Sequence, residues 1–93
     1  MEGIVATDDV MGGEPRLAGR RIAVRQIAEL ILDGDNSPAE VADQLDISLS
    51  DVHLALAYYY DNPDEMAEVR ERHHELMREA RKSALSPPDT VSR

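Results

Sequence analysis

The sequence predicts a mainly α-helical domain entered through a short N-terminal β-ribbon. Three observations carry that prediction. Apolar residues recur every three or four positions through four separate stretches between residues 24 and 83. Three of those stretches open on a helix-start signal, Ser37-Pro38, Ser48 with Asp51 three residues on, and Asn62-Pro63. Ahead of them, Gly12-Gly13-Glu14-Pro15 marks a tight turn between two short apolar pieces, residues 4–7 and 21–24, which can lie alongside each other as a ribbon. The architecture expected is a four-helix domain containing a helix-turn-helix, with a homeodomain-like or winged-helix-like three-helix core. Residues 1–83 make this single domain, with the ribbon over 4–23, and residues 84–93 are expected to form a flexible tail around Ser86-Pro87-Pro88-Asp89.

Each element has a local reason. The first helix, about 24–33, turns Val24, Ile27, Ala28 and Ile31 to one face with Leu30 beside them, and Gly34 is expected to end it as a C-terminal cap. The second, about 38–45, has Ser37 as N-cap, Pro38 first and Glu40 closing a capping box, with Val41, Ala42 and Leu45 inward. Asp46 falls at the turn position that often takes glycine, and aspartate is one of the few other residues tolerated at positive φ. The third helix, about 49–60, starts from Ser48 and buries Val52 and Ala55-Leu56. The fourth, about 63–82, is capped by Asn62. It carries a narrow stripe of Met66, Val69, His73, Leu76 and Ala80, with Met77 alongside, on an otherwise charged surface. Its end holds Arg78, Arg81 and Lys82, as the helix dipole favours.

Composition narrows the function classes. A chain of 93 residues buries roughly two-thirds of its unfolded surface, enough for one modest core. With no cysteine, disulfides, thiolate metal sites and cysteine nucleophiles are excluded. No stretch offers the ~20 apolar residues of a membrane span, and no leader pattern opens the chain, so a cytoplasmic protein is expected. The net charge is −9, and nine of the ten bases are arginine. The acids are scattered, which favours adaptation to a salty cytoplasm, a halophilic trait, over mimicry of nucleic acid or disorder.

Catalysis is not expected. Ser50, Asp51 and His53 diverge around a helix, and His73-His74 point about 100° apart where metal ligands on a helix need a spacing of three or four. No cofactor, metal or small-molecule substrate is expected. Arg16, Arg20, Arg21 and Arg25 crowd the ribbon and the start of the first helix, which makes them the candidate phosphate contacts for double-stranded DNA; ion pairs within the chain or with a second subunit are the alternative use. The outward positions of the third helix are Ser48, Leu49, Ser50, His53, Leu54 and Ala57. Of these only Ser48, Ser50 and His53 can hydrogen-bond a base, a poor recognition surface. Tyr58, Tyr59 and Tyr60 read as a core anchor plus two partly exposed interface rings. With Met66, Val69, Leu76, Arg78 and Arg81 they are the candidate residues for a partner or a homodimer.

A resemblance follows from three motifs in order. The run Gly13-Glu14-Pro15-Arg16-Leu17-Ala18-Gly19-Arg20-Arg21-Ile22-Ala23-Val24 resembles the opening G-x-P-x-[IV]-x-G-T-R-[IV]-x-V of the domain of unknown function 433 family. The step Gly34-Asp35-Asn36-Ser37-Pro38-Ala39-Glu40-Val41-Ala42 is similar to that family's G-x-S-x-E-E-I-A. The stretch Leu49-Ser50-Asp51-Val52-His53-Leu54-Ala55-Leu56-Ala57-Tyr58-Tyr59 resembles its L-x-x-E-D-V-x-A-A-L-x-Y-Y helix. The match covers about residues 3–62, and Arg20 departs from the threonine more usual there. The family is regarded as helix-turn-helix proteins and antitoxins, often encoded beside a PIN-like ribonuclease toxin. The resemblance therefore implies an antitoxin-like regulator of a toxin–antitoxin pair, binding its own promoter and neutralising such a toxin. The alternative is an interaction or dimerisation module that uses the helix-turn-helix as scaffold and binds no DNA.

Overall fold

A computed structural model of the chain describes residues 2–85. Two short strands, β1 (Ile4–Val5) and β2 (Arg16–Leu17), precede four helices: α1 (Val24–Leu32), α2 (Pro38–Leu45), α3 (Leu49–Asp61) and α4 (Pro63–Leu85). The expected class, mainly helical with a short N-terminal ribbon, is what the fold shows.

The ribbon is wired differently from expectation. Ile4–Val5 pairs antiparallel with Arg16–Leu17, Ile4 opposite Leu17 and Val5 opposite Arg16, and not with residues 21–24. Arg16 in turn bridges Ala23 on its other side. The reason is a second reversal at residues 18–20, where Gly19 takes φ +77° and the Arg20 N–H donates to the Leu17 carbonyl at 3.1 Å. The Leu17 N–H then donates to the Ile22 carbonyl at 3.0 Å and the Val24 N–H to the Pro15 carbonyl at 3.0 Å. The second apolar piece is thus folded back on the middle of the segment, which seats Pro15, Leu17 and Ala23 in the core at the start of α1. Gly12-Gly13 forms a single 3₁₀ turn with Met11.

The helix signals act largely where expected. Ser37 and Glu40 form the reciprocal capping box at 3.1 and 2.7 Å. Asp46 adopts the left-handed conformation (φ 56°, ψ 50°) that closes α2, and Ser48 Oγ accepts the Asp51 N–H at 3.0 Å to open α3. Three details differ. Gly34 does not supply the positive φ after α1; Asp35 does, at φ 59°. Asn62 closes α3 more than it opens α4, because its side-chain amide donates to the Tyr58 carbonyl at 3.0 Å. Finally, α4 continues through Ala84 and Leu85, both good helix formers, since the first breaker in the sequence is Pro87 with its restricted predecessor Ser86. The rest of the expected tail, residues 86–93, lies outside the described residues.

The core is one cluster of Ile4, Leu17, Val24, Ile27, Val41, Val52, Ala55, Met66 and Val69, and among the described residues no polar side chain is fully buried. Leu54, expected to point outward, packs under the ribbon: a Cβ added at Gly3 would come within 2.5 Å of its Cδ2. The molecule is elongated, 51 × 27 × 23 Å, because α4 is 23 residues, or about 35 Å, long and only its first turns meet the body. No helix among the described residues is long and apolar enough to cross a membrane.

Residues 34 and 35 make the local argument testable. A Cβ on Gly34 would sit 2.8 Å from the Leu30 carbonyl oxygen, closer than real contacts allow. Gly34→Ala should therefore cost about 1–3 kcal/mol in urea unfolding. Asp35→Gly should be neutral or stabilising, because it relieves a left-handed conformation worth ~1 kcal/mol in a residue with a Cβ.

Candidate functional site

Two surfaces carry the residues singled out by sequence, one around the ribbon tip and α3, the other along α4. At the first, Ser48, Ser50 and His53 are all exposed on α3, with Leu49 and Ala57 beside them. The arginines do not act as one patch. Arg16 donates to the Thr7 hydroxyl at 3.3 Å, and exposed Arg20 donates to the Asp46 carbonyl at 3.2 Å, tying the ribbon tip to the α2–α3 turn. Arg21 is exposed, and no described residue hydrogen-bonds or ion-pairs with it. Arg25 belongs to the scaffold. Its side chain is only 11% exposed and holds Glu14 at 2.7 Å and Glu29 at 3.1 Å.

The second surface is built from α4 outward. Met66 and Val69 are buried in the core, so they fasten α4 to its own body and are not free for a partner. One residue on, Arg70 reaches three ways. It donates to Asp33 Oδ2 at 2.7 Å and to the Tyr59 hydroxyl at 3.0 Å, and it stands 3.7 Å from Glu29 Oε2. Glu29 Oε2 is buried and accepts no hydrogen bond, so the nearby Arg70 charge is its compensation. The Tyr59 hydroxyl above all, then Asp33 and Glu29, hold the Arg70 guanidinium above its already high ordinary pKa against the effect of burial. Sequence reasoning passed over Arg70. Its only signal was its place next to Val69 and four residues after Met66, at the edge of the buried stripe.

Beyond Arg70 the stripe leaves the body. His73 is half-buried, Leu76 is 65% exposed and Met77 47% exposed. Among the described residues Arg78 pairs only within α4, with Glu75 at 3.6 Å and Glu71 at 4.0 Å, and Arg81 is exposed. Between this stretch and the 3₁₀ turn lies a groove of about 490 Å³, with Met11, Val69, His73 and Leu76 in its wall and Glu14, Glu75 and Arg72 among the charged groups around it. Met11 and Gly12 reach that groove through the folding of the N-terminal segment, which nothing in their local sequence announces.

The tyrosine run divides differently from expectation. Tyr58 and Tyr59 are both half-buried and pack against the core, while Tyr60 is 61% exposed and meets Tyr59 edge-on with ring centroids 5.4 Å apart. The Tyr58 hydroxyl donates to the Glu65 carboxylate across the α3–α4 turn. Burial, then that hydrogen bond and the carboxylate's charge, push the Tyr58 phenol up to about 12. Among the described residues no group of three or more His, Asp and Glu side chains could hold a metal ion.

The model of the family described as "Protein of unknown function (DUF433)" matches residues 4–59. The chain belongs to this family, as its three ordered motifs led us to expect. The matched region ends at Tyr59, so the whole of α4 lies beyond it. No curated protein and no solved structure matches the chain.

Two expectations follow. Arg70→Met keeps the aliphatic stem but removes three polar contacts and leaves the buried Glu29 Oε2 without its nearby charge, while Arg25 still holds Oε1, so it should lower unfolding free energy by about 1–2 kcal/mol. A variant as stable as the parent would mean that Met66 and Val69 alone hold α4. Tyr58 titrates in the opposite sense from an acid that gains a cation. Its folded pKa lies above the ordinary value of 10.0, so its contribution is complete below pH 10 and is lost as pH rises through about 12. A late tyrosinate absorbance step near pH 12 should vanish in Tyr58→Phe, along with part of the alkaline loss of stability.

Proposed function

We propose that this chain is a protein-interaction module of the antitoxin type, in which the body built from the ribbon and α1–α3 is a scaffold that holds out α4 as the contact arm. The observation that carries this reading is the exposure of Leu76 and Met77 on a helical stripe whose first residues, Met66 and Val69, are buried. An apolar stripe that leaves its own core beside an open groove is a surface suited to another polypeptide. The chemistry on view supports recognition and not turnover, because Ser50, Asp51 and His53 make no mutual hydrogen bond and Ser48 is occupied as a helix cap. The family resemblance supplies a natural partner class, a small PIN-like ribonuclease encoded alongside.

A second reading is that α2 and α3 act as a helix-turn-helix on the chain's own promoter. It is favoured by Arg21, whose guanidinium is uncommitted, and by Arg20 fixed at the α2–α3 turn beside the start of α3. It is disfavoured by an α3 face without Arg, Lys, Asn or Gln and by a net charge of −9.

Co-expression separates them. The interaction reading expects the chain to co-purify with the adjacent ribonuclease at fixed stoichiometry, and expects Leu76→Glu with Met77→Glu to lose that complex while the body melts unchanged. A complex indifferent to both substitutions would overturn it. The regulator reading expects a gel shift with promoter DNA that Arg20→Ala with Arg21→Ala weakens about equally for promoter and random duplexes, whereas Ser50→Ala or His53→Ala relaxes sequence preference. A chain that shifts neither duplex would remove the regulator reading.

A further inference from the structure

We propose that the groove and the distal stripe of α4 are the two halves of one self-complementary contact, through which two copies of this chain pair with their α4 helices antiparallel. This rests on reading α4 as an interaction surface and goes further by naming its occupant. A two-fold pair needs the same patch to be both donor and acceptor of the contact. Here the patch satisfies that condition: exposed Leu76 stands in the wall of the same groove that His73 and Met11 line, and exposed Met77 follows it in the chain.

Charge selects the second copy and sets its direction. In the first half of α4, Asp64, Glu65, Glu68 and Glu71 stand against Arg70 and Arg72, and Arg70 is already committed to Asp33 and Tyr59. In the second half Arg78, Arg81 and Lys82 stand against Glu75 and Glu79. The helix is therefore acidic at its start and basic towards its end. A parallel pair would set like halves side by side, whereas an antiparallel pair sets the basic half of each copy along the acidic half of the other.

Spacing fixes the register. His73 and Leu76 are adjacent positions of the stripe, and laying His73 of one copy opposite Leu76 of the other places the two-fold axis between residues 74 and 75. The same register sets Arg72 beside Glu79 of the second copy, twice by symmetry. Arg78, already answered by Glu71 and Glu75 of its own helix, is not needed across the contact.

The absence of cysteine makes the register directly measurable, because any introduced thiol is unique. Sedimentation of the full chain at tens of micromolar should give twice 10.3 kDa. Leu76→Glu should return it to monomer with unchanged helix content and an unchanged melt of the body, because Leu76 is exposed within the single chain. Spin labels on His74→Cys should lie close across the axis. Labels on Ala84→Cys should be separated by about 28 Å along the helices, nineteen residue rises. Short distances at both positions would mean parallel pairing and overturn the proposal. A monomeric parent chain, or a dimer that survives Leu76→Glu, would overturn it equally. A monomer that still takes the neighbouring ribonuclease through Leu76 and Met77 would leave the interaction reading standing without self-pairing.

Discussion

The packing of α1 against α3 is the contact on which everything else in this fold rests. Val24, Ile27 and Ala28 on α1 and Val52 and Ala55 on α3 are fully enclosed, and no aromatic ring is among the buried side chains, Tyr58 and Tyr59 packing only at the core's edge. A core of Val, Ile and Ala works only if the backbones approach closely. The ribbon closes that packing at one end through Pro15 and Leu17, and Met66 and Val69 close it at the other. Where the apolar surface of α1 runs out, its polar side takes over. Arg25, Glu29 and Asp33 lie along it, and through them α1 grips both Glu14 of the N-terminal segment and Arg70 of α4.

This economy explains the division within α4. Two buried side chains, one branching arginine and the Tyr58–Glu65 hydrogen bond attach it, all within residues 65–70. The fifteen residues beyond are held by helix propensity, local pairs such as Glu75–Arg78 and continuity with the docked turns. Such a helix is stiff enough to project yet contributes little to the fold it projects from. Under the interaction reading proposed above, recognition and stability are assigned to different ends of one element. Changes in the distal half leave the core contacts untouched.

Much of this was legible in the sequence, and the reasons are local. Helices announced by Ser37-Pro38 with Glu40, by Ser48 and by a three-four stripe formed as read, because caps and periodicity act within a turn or two of chain. Asp46 took the left-handed turn for the same reason. The ribbon pairing was misread because it depends on which of two reversals the chain uses, and Gly12-Gly13 and Gly19 are equal competitors until Leu17 and Ala23 are buried together. At the candidate surfaces the types of residue were readable but their commitments were not. Arg25 and Arg21 sit four residues apart in the same basic run, yet one is locked between two carboxylates and the other has no partner among the described residues. That difference is set by Glu14 and Glu29 arriving from other parts of the chain, a long-range fact with no local signature.

The three consecutive tyrosines have a consequence for anyone who works with this molecule. They are its only aromatic side chains besides histidine, so its near-ultraviolet absorbance and emission come from them alone. Each looks at a different joint: Tyr58 at the opening turn of α4 through Glu65, Tyr59 at the α4 clasp through Arg70, and Tyr60 at solvent. The chain thus carries native optical probes of whether its arm is seated, with an internal reference one residue away, and needs no foreign fluorophore to report it.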